Sequence, residues 1–166
     1  MMFQKFSFLD KAPLFVKINY GIATGLGSGL SPKAPGTVGS LCALLPAWGA
    51  TQFGTWAVLA LTVFFFITGW YATHVVLATQ PNKDPGYVVI DEFAGQTITF
   101  LLVASCVMPW YYYLIGFGLF RFFDIVKIWP VSYFDKKVQN AFGVMTDDIM
   151  AGLYACLILY GIHYFL

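Results

Sequence analysis

Phe93–Phe120 reads FAGQTITFLLVASCVMPWYYYLIGFGLF, 28 residues without a charge. As one helix, this stretch would part Asp91-Glu92 from Arg121-Asp124 by the thickness of a bilayer. As a hairpin, it would bring all four to one side. Proline and an aromatic cluster stand at its middle, Met108-Pro109-Trp110-Tyr111-Tyr112-Tyr113. They mark a turn at a membrane interface, where Trp and Tyr are enriched. The hairpin is therefore expected. Each arm is then shorter than the ~20 residues a bilayer core requires. Each must extend into its charged flank, which sinks Asp91, Glu92, Arg121 and Asp124 below the membrane surface.

The rest of the chain repeats this segregation. Five charges lie between Lys5 and Lys33, four between Lys83 and Glu92, and eight between Arg121 and Asp148; residues 34–82 and 149–166 carry none. Residues 34–82 would run roughly 73 Å as one helix. They are expected to cross twice, with a break near Gln52-Phe53-Gly54. Residues 149–166 form a final span. The chain is 59% hydrophobic and 10% charged, against about 25% charged in soluble domains. The fold class is all-α: a polytopic integral membrane protein of about five helical spans, one domain over 1–166, with its polar site at one membrane face. That face holds every Lys and Arg and is cytoplasmic by the positive-inside rule. Residues 1–20 mix Phe3, Phe6, Phe8 and Leu9 with Lys5 and Lys11, and read either as an interfacial helix or as a tail. No secretory signal peptide is expected there. A net charge of +1 gives no field to draw nucleic acid. Cys42, Cys106 and Cys156 lie in apolar runs without metal-type spacing and read as small hydrophobes.

Four constellations carry chemistry. Gly25 to Ser40 (GLGSGLSPKAPGTVGS) is a Gly/Pro loop with Lys33 ahead of an apolar run. It reads either as a plain loop or as a phosphate cradle at a helix N-terminus, with Thr37 as the helix cap. Asp91-Glu92 offers hard oxygen ligands for Mg²⁺; on a helix, Glu92, Gln96 and Thr99 share a face, and Gly95 permits close approach of a neighbour. Arg121, Asp124 and Lys127 are spaced by three. Arginine supplies a planar fork for phosphate and lysine a point charge, and Asp124 can pair with Arg121 or bind metal. Asp147-Asp148 precede the last span, where a helix N-terminus favours acids; capping does not readily account for both. With no Cys-x₅-Arg loop and no Asp-x-Asp pair, five acids at one face point to metal-assisted attack by water. A small transporter or channel subunit with intramembrane charges along a pathway is the alternative, though the far face is bare of charge.

Together the segments GSGLSPKAPGTVGS (27–40), IDEFAG (90–95), FRFFDIVKIWP (120–130) and DDIMAG (147–152) resemble the phosphatidylglycerophosphatase A family of bacterial inner-membrane enzymes. The resemblance covers nearly all of the chain beyond about residue 20. It implies a Mg²⁺-dependent phosphatase that takes phosphatidylglycerophosphate, a membrane phospholipid, to phosphatidylglycerol. Asp91, Glu92, Asp124, Asp147 and Asp148 become the acidic, metal-binding centre. Arg121, Lys127 and Lys33 become phosphate contacts, with Thr37 and Ser40 on the same loop. The family has Lys-Pro where this chain has Lys127-Ile128, so the helix end there is expected to differ.

Overall fold

A computed structural model describes residues 8–79, 85–105, 108–138 and 140–165. Phe3, Lys5, Phe6, Lys83, Asp84 and Cys106 lie outside the described residues, as do the side chains of Asp135 and Lys136. The described elements are helical: α1 (Phe8–Lys11), α2 (Leu14–Ala23), a 3-10 turn (Ser28–Leu30), α3 (Pro35–Thr51), α4 (Thr55–Thr79), α5 (Ile90–Ile98), α6 (Trp110–Val126), α7 (Val131–Lys137) and α8 (Ala141–Phe165).

The turn expected near residues 52–54 joins α3 to α4. Gly54 takes φ +88° there, a left-handed backbone that glycine adopts without steric cost. α3 starts three residues earlier than Thr37 as its cap would set it. Pro35, with its fixed φ, occupies the first helical turn. Ala34 is the N-cap, and Thr37 is not a cap.

α6 ends at Val126 although Ile128 replaces the family's proline. Lys127 adopts φ 49° and its N–H bonds the Phe123 carbonyl at 2.9 Å. A left-handed residue closing the last turn stops a helix as firmly as proline beyond it. α8 begins at Ala141, where Asn140 Oδ1 accepts the N–H groups of Phe142 and Gly143 at 3.0 Å each. Asp147 and Asp148 are therefore helix-interior residues, and no acid lies in the first turn. Dipole capping accounts for neither.

Short α5 is the axis of the molecule. It packs against α3, α4, α6 and α8, and Ile90 and every residue from Glu92 to Ile98 are buried. Glycines permit this enclosure. A Cβ at Gly95 would stand 2.6 Å from the Asp148 carbonyl oxygen, and one at Gly152 3.0 Å from the Gly95 carbonyl carbon. The backbones of α5 and α8 thus touch without intervening side chains, as small residues allow in membrane bundles.

After α5 the chain turns through residues 99–105 and returns along α6. Arg121, near the end of α6, meets Glu92, near the start of α5. A single crossing would forbid that contact, so 93–120 is a hairpin. At the opposite end Thr51 bonds Tyr113 at 2.7 Å and Thr55 bonds Ser105 at 2.8 Å. Trp48, Phe53, Trp56 and Trp110 project outward there, the placement expected of an interfacial aromatic belt.

α4 and α8 are long and apolar enough to cross a membrane. α3 and α6 have 17 residues each, at the lower limit of a span, and α5 with nine is well short of one. α4 leaves Val63, Phe64, Ile67 and Trp70 exposed along its outer side. An apolar face of that kind is covered by lipid or by another protein.

Candidate active site

The charged groups gather where the first turns of α3 and α5 meet the end of α6 and the second turn of α8. Glu92 is the hub. Its carboxylate pairs with Arg121 Nη1 and takes a hydrogen bond from Ser40 Oγ at 2.5 Å. Ser40 is fully buried, one turn into α3, and also lies 2.8 Å from the Gly36 carbonyl. Arg121 Nη1 donates to Ser40 Oγ at 3.2 Å and pairs with Asp124 Oδ2 at 2.8 Å, one turn along α6. All of these contacts fall on Nη1. Arg121 Nε is buried and has no partner among the described residues, so one donor of the planar fork is unsatisfied.

A second pair stands alongside. Lys127 Nζ lies 3.0 Å from Asp147 Oδ2. The left-handed backbone of Lys127 turns its stem back toward α8. Asp91 and Asp147 each accept the N–H of the next residue, at 3.0 and 3.1 Å. Asp148 is almost fully buried, and its Oδ2 has no hydrogen-bond partner among the described residues. It lies within electrostatic reach of Asp124, Glu92, Asp91 and Asp147.

The structure thus brings together all seven of Asp91, Glu92, Arg121, Asp124, Lys127, Asp147 and Asp148. Five carboxylates face two cations. Repulsion of that size in a buried site calls for further positive charge. As the side chains stand, no three His, Cys, Asp or Glu groups among the described residues converge into a ready metal cage.

The cradle loop is different from expectation. Lys33 is exposed, and its carbonyl takes a hydrogen bond from Ser31 Oγ at 2.8 Å. Neither Lys33 nor Thr37 bonds to the acidic groups among the described residues. Ser40 is engaged by Glu92 and Arg121 rather than standing free for phosphate. The anion at the N-terminus of α3 is Glu92 itself: a Cβ built on Gly36 would overlap Glu92 Oε1 and come 3.4 Å from Arg121 Nη1. Gly36 is thus a site residue that sequence reading missed. Its i, i+4 spacing to Ser40, one face of a helix, is the signal that could have found it.

The phosphatidylglycerophosphatase A profile matches residues 21–163. That span includes every element of the site. The chain belongs to the phosphatidylglycerophosphatase A family. It is 39% identical over 146 residues to the phosphatidylglycerophosphatase A of Haemophilus influenzae, covering 87% of this chain and 88% of the relative. It is 42% identical over 140 residues to the Escherichia coli protein of the same name, covering 84% and 80%. A Bacteroides thetaiotaomicron protein named putative phosphatidylinositol-3-phosphatase is 40% identical over 159 residues, covering 90% and 94%. No solved structure matches the chain at a significant level. A phosphatidylglycerophosphatase A fold with its apolar α4 and α8 is a membrane-associated one. Neither the family nor the site geometry supports the transporter alternative.

Proposed function

We propose that this chain hydrolyses the terminal phosphate monoester of phosphatidylglycerophosphate, giving phosphatidylglycerol and inorganic phosphate. The observation that carries this reading is Arg121: a guanidinium anchored through one nitrogen by Glu92, Asp124 and Ser40, with its Nε unspent, at the rim of an acidic, buried site. Two relatives bear the name of this activity.

In the reaction, water attacks phosphorus, the bond from phosphorus to the glycerol oxygen breaks, and that oxygen takes a proton. Arg121 receives the phosphoryl oxygens on its Nε side, and Lys127, released in part from Asp147, adds a point charge. Both stabilise charge as it shifts toward the transition state. One of the five carboxylates takes the proton from water and returns it to the leaving oxygen. The acids supply hard oxygen donors suited to a divalent cation, and the Asp148 Oδ2 acceptor is unsatisfied among the described residues. Asp91, Glu92, Asp124, Asp147 and Asp148 would hold Mg²⁺. When bound, the ion would neutralise charge on the phosphoryl group and acidify water.

The protein would sit in the bacterial inner membrane with its site on the cytoplasmic face. α3, α4 and α8 would cross, and the α5–α6 hairpin would complete about five passages. Acyl tails would then remain in the bilayer while the phosphate reaches Arg121.

The test is phosphate release from phosphatidylglycerophosphate by purified protein in detergent, with Mg²⁺ and then with excess chelator. Release that stops on chelation supports the whole reading, and release that survives it discards the metal. Phosphatidylinositol 3-phosphate forms the second arm, because of the Bacteroides relative. Release from that lipid alone would move the substrate, and release from neither would end the phosphatase reading.

A further inference from the structure

Three non-glycine residues hold a left-handed backbone among the described residues: Leu26 at φ 55°, Ala34 at 46° and Lys127 at 49°. Such a conformation is costly for a residue with a Cβ, and it gathers where function requires it. Ala34 caps α3 just before Gly36, and Lys127 pairs with Asp147, so both serve the site. Leu26 does not, and at 90% it is the most exposed large apolar side chain among the described residues.

The end of α2 sharpens the contrast. The Gly25 N–H bonds the Ile22 carbonyl and the Leu26 N–H bonds the Gly21 carbonyl, each at 2.9 Å. In a helix ending of this kind the residue placed as Leu26 is commonly packs an apolar side chain back on the residue placed as Gly21 is. Gly21 has no side chain to meet, and a Cβ there would touch nothing within 4 Å. Glycine or asparagine would suit this backbone better than leucine. The leucine side chain therefore has a use outside the fold.

The turn is fastened beside the site. The Ala23 carbonyl accepts the Val89 N–H at 2.9 Å. A Cβ on Gly25 would stand 2.6 Å from the Phe93 ring, and one on Gly29 would overlap the Tyr87 carbonyl. Val89 is the N-cap of α5, whose first turn carries Asp91 and Glu92. Leu26 is thus held at the site's end of the bundle with its side chain outside the packed protein. Residues 11–33 carry Lys11, Lys17 and Lys33 and no acid, and all three lysines are exposed. An apolar side chain on a basic segment suits an anionic phospholipid, which joins a negative head to acyl chains. In phosphatidylglycerophosphate a glycerol, a phosphate and a second glycerol part the terminal phosphate from those chains. A contact for the tails therefore belongs beside the site rather than within it.

We propose that Leu26 is a substrate-binding residue: its side chain packs on an acyl chain of the phospholipid whose terminal phosphate meets Arg121. The inference rests on the phosphatase reading above and adds the protein's hold on the lipid tail.

The experiment compares wild-type protein with Leu26→Gly, Leu26→Asn and Leu26→Met in detergent. It reads KM and kcat for long-chain phosphatidylglycerophosphate, Ki for the same headgroup without acyl chains, Tm, and the mass of the protein in detergent. Leu26→Gly and Leu26→Asn should raise KM roughly tenfold, the scale of withdrawing one leucine from an apolar contact. Their kcat should stay within about twofold, because ground state and transition state lose the same contact. Ki for the bare headgroup should not change, and Tm should be unchanged or raised as the backbone strain is relieved. Leu26→Met keeps the apolar reach at the same backbone cost and should hold KM within about twofold of wild type. A wild-type KM in both Leu26→Gly and Leu26→Asn overturns the inference and leaves the phosphatase reading intact. Equal losses on the lipid and on the bare headgroup also overturn it, because Leu26 would then act through the site. A fall of Tm in both variants overturns it as well, since Leu26 would hold the fold. So does a smaller mass in both, which would make a second copy of this chain the partner of Leu26. Wild-type protein that releases no phosphate from any lipid removes the reaction and the inference together.

Discussion

Gly36→Ala isolates the contact between the N-terminus of α3 and the hub of the site. The backbone at Gly36 is ordinary helix, so alanine introduces no φ strain. In a helix interior this change is worth up to about 1 kcal/mol in favour of alanine. The added methyl, however, would overlap Glu92 Oε1. Glu92 is held from its other side by Ser40 and Arg121, so its carboxylate must retreat and carry the guanidinium with it. A displacement of roughly 1 Å costs on the order of 100-fold in rate, or about 2.7 kcal/mol of barrier. Gly49→Ala is the matched control, because it lies in the same helix and its Cβ would meet nothing within 4 Å. Both variants share the helix gain, and only one meets Glu92. Measured as kcat/KM for phosphate release with Tm alongside, Gly36→Ala should lose about two orders of magnitude at near-wild-type Tm, while Gly49→Ala keeps full activity. A fully active Gly36→Ala protein would refute the placement of Glu92 against α3 as the working geometry.

Three further outcomes follow from the same site. Asp148→Asn removes one charge from a buried cluster of five carboxylates, so thermal denaturation should show a gain of about 0.5–2 kcal/mol while phosphate release is abolished; a destabilised or active variant would contradict it. Lys127→Gly gives the left-handed position its preferred residue, worth up to about 1 kcal/mol, but strips Asp147 of its cation. Its Tm should therefore move little while activity falls at least tenfold, read by the same release assay. Gly152→Ala places a methyl 2.6 Å from Ile98 Cγ2 and 3.0 Å from the Gly95 carbonyl carbon, which should cost about 1–3 kcal/mol of stability by denaturation in detergent.

The parts of the fold that were legible in the sequence were those written in charge and punctuation. Gln52-Phe53-Gly54 announced a turn because residues 34–82 are too long for one crossing and a polar residue and a glycine fall together there. The hairpin over 93–120 was signalled by Pro109 and the aromatic cluster that follows it, and the Arg121–Glu92 pair realises it. Gly95 was readable as a contact for a neighbouring helix, and α8 is that neighbour. Other features were not legible, since they depend on which helix ends meet. Thr37 looked like a cap because it has the right side chain, but Pro35 had already begun the helix. Asp147 and Asp148 looked terminal because the apolar run begins after them, whereas Asn140 caps a helix that already starts at Ala141. Ser40 looked available to phosphate, and only the packing of α5 on α3 reveals that Glu92 reaches it first. Lys33 was counted by its charge and by the family resemblance, and neither says which way an exposed loop residue turns.

The enclosure of α5 bears on how the protein is made. A nine-residue helix carrying Asp91, Glu92 and Gln96 is too short and too polar to enter a bilayer unaided. It requires α3 and α4, which leave the ribosome first, and α6 and α8, which leave last. The carboxylates of α5 therefore find their final surroundings only when translation is nearly complete. A nascent chain cut short before α8 lacks both the wall that covers Gly95 and two of the five acids. Synthesis itself thus withholds a lipid-cleaving site until the whole bundle can close around it.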